Sequence, residues 1–233
     1  MNQIEIINYL KSKKIIVLDY KFEVIIQGSF VSLTLYSENK YLLKECGIAF
    51  KSGVVNDFSC YIKVKDLEEI ISPIMRKALI WGGERNLQIT SSLSQLEPEI
   101  EKQVNNNLNL PFKIKCKSDI DLLLDKFQDF VINVAEPFFE KWSDLRVLND
   151  FIETIPQRQI TKYLGMSATF KKILIFKLCN NPKYKDEFER VYNKFTKRYQ
   201  ENPNGDRSYK QWNDAVILLK EALENVEPIY NVK

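Results

Sequence analysis

The chain of 233 residues contains no histidine. It therefore cannot build a Ser-His-Asp triad, a Cys-His dyad or a His-ligated zinc or haem site from its own side chains. General acid–base chemistry would fall to carboxylates, lysine, tyrosine or cysteine. The absence lowers the expectation of an enzyme, and we expect neither a metal site nor a cofactor.

Cysteine is also scarce, with four residues that form no CxxC pair. They are Cys46, Cys60, Cys116 and Cys179. Their spacing matches neither a zinc ribbon nor a disulfide framework. Since the neighbours of Cys46 and Cys179 are largely apolar, we expect buried free thiols that pack as small hydrophobic residues.

Long apolar runs are missing, because no stretch approaches the roughly 20 residues of a membrane span. Acidic and polar residues interrupt the first 24 residues, which do not resemble a signal peptide. A net charge of +3 is too small to indicate a nucleic-acid or membrane partner by itself. We expect a cytoplasmic protein with no membrane partner.

The first half of the sequence reads as a short helix followed by strands. Residues 3–11 place apolar side chains on one helical face. In "FVSLTLYS", residues 30–37, Val31, Leu33 and Leu35 alternate with polar side chains, as in a strand with one buried face. Similar runs at 14–28, 41–50 and 58–64 predict an antiparallel meander. "LQITSSL" and "FKIKC" are candidates for further short strands.

The first half also contains a predicted helix, residues 65–81, and we place its adjacent carboxylates, Glu68 and Glu69, on its surface. The second half reads as helical. From residue 118, apolar side chains at helical spacing run towards Pro137. In "NVAEPFFEKWSDLRVLNDFIETIP", residues 133–156, the aromatic side chains favour a packed helix corner over a ligand site.

These patterns predict an α+β fold. An antiparallel sheet with flanking helices occupies the N-terminal half, residues 1–117, and a helical bundle occupies residues 118–233. No linker separates the two regions, so we expect one continuous structural unit.

"WGGERN", residues 81–86, is one candidate site. Trp81, Glu84 and Arg85 beside two glycines would suit a mobile loop that clamps a ligand or partner. A flexible turn explains the same residues, because a Gly-Gly dipeptide marks turns in general.

"QITKYLGMSATFKKIL", residues 159–174, resembles a helix-turn-helix. Its second helix would offer Ser167, Thr169, Lys171 and Lys172 to the major groove of DNA. However, Lys171 stands where that motif needs an apolar core residue, and tight helix–Gly–helix turns are common in bundles.

The helix predicted from residue 182 to 199 interleaves aromatic and basic residues. Such interleaving is found in proteins that bind single-stranded nucleic acid. Because its aromatic residues share one face, a core stripe with a solvated opposite face is the default interpretation.

The order of parts, and residues 118–152 in particular, is similar to uncharacterised bacterial families of unknown function. Some of those families act as immunity or accessory proteins beside toxins. The resemblance implies a bacterial, non-catalytic protein whose partner is another protein, and it transfers no functional residue. The alternative is a DNA-binding regulator that uses residues 159–174. The sequence leaves enzymatic activity undecided, although the absence of catalytic motifs speaks against it.

Overall fold

The structure is a computed structural model that describes residues 1–13, 15–27, 30–80, 90–165 and 167–230. It has the predicted α+β architecture, with an antiparallel sheet in the N-terminal half and helices in the C-terminal half.

The sheet has six strands. They are β1 (Lys21–Gln27), β2 (Phe30–Glu38), β3 (Leu42–Lys51), β4 (Val54–Val64), β5 (Ser91–Ser92) and β6 (Phe112–Lys113). The order is β1-β2-β3-β4-β5, and β6 also pairs with β4. The four long strands confirm the predicted meander. Ser52 and Gly53, both with positive φ, form the two-residue turn between β3 and β4, as strand twist favours in a hairpin.

The register of the sheet explains its buried face. Val31, Leu33 and Leu35 of β2 are fully buried. They lie opposite Phe50, Ile48 and Cys46 of β3, which are also buried. The period-2 alternation read from the sequence therefore places three successive pairs in the core.

Eleven α-helices accompany the sheet in the described residues. They are α1 (Gln3–Ser12), α2 (Lys65–Lys77), α3 (Leu93–Leu96), α4 (Pro98–Asn107), α5 (Lys117–Phe130), α6 (Glu136–Trp142), α7 (Leu145–Thr154), α8 (Ile160–Leu164), α9 (Ala168–Leu178), α10 (Tyr184–Glu201) and α11 (Arg207–Glu224). The polar stretch 94–111, which gave no clear pattern in the sequence, contains most of α3 and the whole of α4.

The segment around Pro137 is helical throughout. A π-helical turn, Val131–Ala135, joins α5 to α6, and Pro137 is the second residue of α6. Proline lacks the N–H that a residue inside a helix donates, and here it comes two residues after the π-helical turn. Phe138 and Phe139 are buried, with their rings edge to face at 5.5 Å. Trp142 is buried and meets Phe151 at 5.2 Å, so these aromatic residues are core, as expected.

The chain forms two compact units that interleave along the sequence. The sheet unit comprises Met1–Lys63 and Ser91–Lys141, and the helical unit comprises Val64–Thr90 and Trp142–Lys233. In the helical unit α2 packs with α9 and α11.

Candidate functional site

Three of the sequence-predicted site residues, Trp81, Glu84 and Arg85, lie outside the described residues. The proposed clamp at "WGGERN" therefore stays a prediction.

The helix-turn-helix-like segment contains the helix α8 and the start of the helix α9. α8 ends at Gly165, which has φ 64°, and Ser167 has φ 60° immediately before α9. The Oγ atom of Ser167 is buried and has no hydrogen-bond partner in the described part of the chain. What α9 offers to a partner depends on where its lysines lie.

Lys171 lies inside the helical unit. Its side chain is 2% exposed, and its Nζ atom lies 2.6 Å from Oε1 of Glu68, which is 1% exposed. The Oγ1 atom of Thr90 donates to the same Glu68 oxygen at 3.3 Å and accepts from the N–H of Val64 at 2.9 Å. This placement corrects two expectations, that α9 offers Lys171 to solvent and that Glu68 lies on a helix surface.

Lys172 and Thr169 meet through Gln157. Lys172 Nζ donates to Gln157 Oε1 at 3.3 Å, and Gln157 Nε2 donates to Thr169 Oγ1 at 3.3 Å. Lys172 also lies 3.6 Å from Oε1 of Glu187. Burial would raise the pKa of Glu187, but the hydrogen bond from Arg190 and the charge of Lys172 outweigh it, and the pKa is lowered.

α9 as a whole is packed against its neighbours. Of its residues only Thr169 and Lys177 are half-exposed, and the rest are buried. A recognition helix needs an exposed face of basic and polar side chains to enter the major groove. The structure does not place Lys171 and Lys172 on such a face, because both neutralise carboxylates within the unit.

The exposed aromatic face is instead on α10. Tyr184, Phe188 and Tyr192 follow one another at a spacing of four residues and are all half-exposed. The ring centroids of Tyr184 and Phe188 are 6.5 Å apart, and those of Phe188 and Tyr192 are 5.7 Å apart. We call these three residues the aromatic row. Val191 is the only residue of α10 that is buried, so this part of the helix does not form the expected core stripe.

The C-terminal end of α10 makes more ring contacts. Phe195 stacks on Trp212 of α11 at 5.3 Å, and Phe170 of α9 meets both rings edge to face. Arg198 lies 4.0 Å above the ring of Tyr209. Phe195 and Trp212 are nevertheless half-exposed, so the stripe packs against rings of α9 and α11 at this end while its aromatic side chains stay half-exposed along the helix.

The aromatic row borders a groove of about 330 Å³. Lys185, Glu189 and Asn193 form a parallel row along α10, and Lys220 of α11 completes the rim. The ammonium of Lys220 lies 5.8 Å from the ring of Tyr192, and that of Lys177 lies 5.2 Å from the ring of Tyr184. We call this site the α10 groove.

The charges around the α10 groove are uneven. Lys177, Lys185 and Lys220 take part in none of the ion pairs formed among the described residues. Glu189 is the one carboxylate in the lining. Burial raises the pKa of the Tyr184 phenol, so its hydroxyl stays neutral and able to donate a hydrogen bond. The groove combines apolar rings with a positive rim.

The sequence carried a signal for the α10 groove, namely the spacing of aromatic and basic residues from 182 to 199. Periodicity cannot tell whether a stripe is covered, because an exposed and a buried stripe have the same spacing. No protein-family model matches the chain, and no curated protein or solved structure matches it either.

The described residues hold no group of three or more Cys, Asp or Glu side chains placed to bind a metal ion. Over the same residues, every helix is too short or too polar to cross a bilayer.

Proposed function

We propose that this chain is a non-catalytic interaction protein that binds another protein through the α10 groove. The observation that carries the proposal is the aromatic row, three adjacent half-exposed rings with Lys177 against the first and Lys220 against the last. Aromatic residues are enriched at protein interfaces and dominate their binding energy.

The rim indicates the chemistry of the partner. The described lining of the α10 groove holds two lysines and one carboxylate, and Lys177 lies beside Tyr184, so the groove favours a segment that carries acidic side chains. The rings favour one or two apolar side chains in the same segment. An amphipathic acidic helix or strand would satisfy both, since helix-in-groove recognition places apolar anchors at a regular spacing.

The proposal includes a cytoplasmic location in a bacterium. Its support is the state of the cysteines, because Cys46, Cys60, Cys116 and Cys179 are all free thiols, which suits a reducing compartment. An immunity-like role, in which the partner is a toxin, is one form of the proposal and rests on the resemblance of residues 118–152.

The test is a pull-down from the source lysate with matched variants and quantitative mass spectrometry. Phe188→Ala removes the central ring of the aromatic row. Tyr199→Ala is the control, because it removes a half-exposed ring from the same helix, about 16 Å further along at 1.5 Å per residue. Circular dichroism checks that both variants are folded.

A partner that recognises the α10 groove should bind the Tyr199→Ala variant normally. Loss of a central aromatic anchor costs about 2 kcal/mol or more, so Phe188→Ala should weaken binding by about 30-fold. Lys220→Glu should also weaken binding of the partner, and the loss should be larger at low salt than at high salt. The reason is that salt screens the attraction of the rim charges. Equal recovery with wild type and Phe188→Ala would disprove the assignment of the groove.

A further inference from the structure

The first strand of the sheet has a free edge. β1 pairs with β2 over its whole length, from Lys21 opposite Tyr36 to Gln27 opposite Phe30. Within the described ranges no strand pairs with its other side. Such an edge presents unpaired N–H and C=O groups that can pair with another strand.

The apolar side of β1 is incompletely covered. Phe22, Val24 and Ile26 lie opposite Leu35, Leu33 and Val31 of β2, which are fully buried. Phe22 and Val24 are nevertheless only half-buried, and Ile26 is 43% exposed. These three side chains point to the buried face of the sheet, and in the described residues their strand is paired on one side only.

Other exposed apolar side chains lie close to β1 in the sequence. Ile16 is 69% exposed, Leu18 is 61% exposed and Phe30, at the start of β2, is 54% exposed. Six of the thirteen large hydrophobic side chains that are exposed in the described residues fall within residues 1–30. Apolar exposure is therefore frequent in the first 30 residues, which include β1, and exposed apolar surface is a feature of interaction sites.

The charges on β1 suit pairing with a second copy of the same strand. Lys21 and Glu23 are exposed, two residues apart and on the same face. In an antiparallel pair of β1 strands with the two-fold axis at Phe22, Lys21 of each copy lies opposite Glu23 of the other. This register therefore forms two pairs of opposite charge. Axes at Lys21 or Glu23 would place like charges opposite each other, which destabilises strand pairing.

We propose that two copies of this chain join edge to edge through β1, antiparallel, with the axis at Phe22. The sheet would then continue across both copies. On the apolar face the two Phe22 rings meet, and Val24 of each copy lies opposite Tyr20 of the other. The same register brings Ile26 towards the turn that carries Leu18, so that exposed apolar surface is buried.

The contact is isologous, since the same strand is used by both copies, and it closes after two subunits. Edge charges ordinarily keep strands apart. Here the two signs complement each other in the register with the axis at Phe22, so they favour that register and oppose those with the axis at Lys21 or Glu23. This inference does not depend on the α10 groove.

A charge-swap series tests the proposal. Lys21→Glu alone and Glu23→Lys alone each oppose like charges in their own homodimer. Mixing the two single variants restores opposite charges at both positions, and so does the double variant Lys21→Glu/Glu23→Lys. Sedimentation equilibrium over a range of protein concentrations measures the mass, which for a dimer is twice the 27.4 kDa of the chain.

We expect each single variant to raise the dimer dissociation constant by about 10- to 30-fold, since each of two cross-strand charge pairs changes sign. The mixture and the double variant should return to the wild-type constant. Lys102→Glu, an exposed lysine on α4, and Phe188→Ala should leave it unchanged.

Three results would overturn the proposal. They are a wild-type protein that stays monomeric to its solubility limit, single variants that dimerise as well as wild type, and a mixture that fails to restore the dimer. Dependence on Phe188 would move the self-contact to the α10 groove and would equally refute pairing through β1.

Discussion

The buried pair of Lys171 and Glu68 supports the sharpest prediction about stability. At a separation of 2.6 Å and an effective dielectric constant of about 20, two unit charges attract by about 6 kcal/mol. Removing both from water costs several kcal/mol for each ion, so the net contribution of the intact pair is small. Removing one partner is different, because the other charge stays buried without compensation.

We therefore expect Lys171→Met to reduce the free energy of unfolding by about 3–5 kcal/mol. Methionine has a similar length, so the change removes the charge with little change in packing. Glu68 would keep only the hydrogen bond from Thr90 among its described side-chain partners, and its second carboxylate oxygen has none. Urea unfolding followed by circular dichroism measures the loss.

Two further variants separate charge from packing. Lys171→Met with Glu68→Gln removes both charges and keeps an oxygen that Thr90 can bond, so it should recover at least about 2 kcal/mol. Lys162→Met makes the same change at an exposed position of α8 and should stay within about 0.5 kcal/mol of wild type. A loss below about 1 kcal/mol for Lys171→Met, or no recovery in the double variant, would refute this account.

Two more predictions concern titration and thiol chemistry. Burial, together with the charge of Glu23, raises the pKa of Glu45 above its usual value of 4.5. The folded protein therefore binds this proton more tightly than the unfolded chain does, and it loses stability as the pH rises above 4.5. Glu45→Gln should therefore raise the urea midpoint at pH 7 and have little effect near pH 3. An equal rise of the midpoint at both pH values would contradict a raised pKa of Glu45 in the folded protein. Burial raises the pKa of Cys179 to about 12 and raises that of Cys46 as well, whereas Cys116 is exposed. Iodoacetamide should alkylate Cys116 first in the folded protein, as read by peptide mass spectrometry, and early labelling of Cys46 would show that the sheet core is open.

Much of the local structure could be predicted from the sequence. The alternation in residues 30–37 predicts β2, and the step pattern after residue 118 predicts α5, because both periods are set by backbone geometry over a few residues. The two-residue strands β5 and β6 carry too few side chains for a period to be read. The π-helical turn before Pro137 has no simple signature in spacing.

Local sequence patterns also failed to predict where the site residues lie in the fold. The sequence offered Lys171 to DNA only under the helix-turn-helix alternative, and its position depends on Glu68, more than 100 residues earlier in the chain. Likewise, the aromatic spacing of α10 predicted a stripe, and only the structure shows that Phe195 stacks on Trp212 while the aromatic row borders a groove.

The sequence alone determined the fold class, the four long strands, most of the helices and the absence of histidine chemistry, since these follow from composition and short-range periodicity. The tertiary structure decided which charges are buried as a pair, which rings stay exposed and which strand forms the edge of the sheet. Those properties depend on residues that are distant in the chain and meet only when it folds, so no local pattern encodes them.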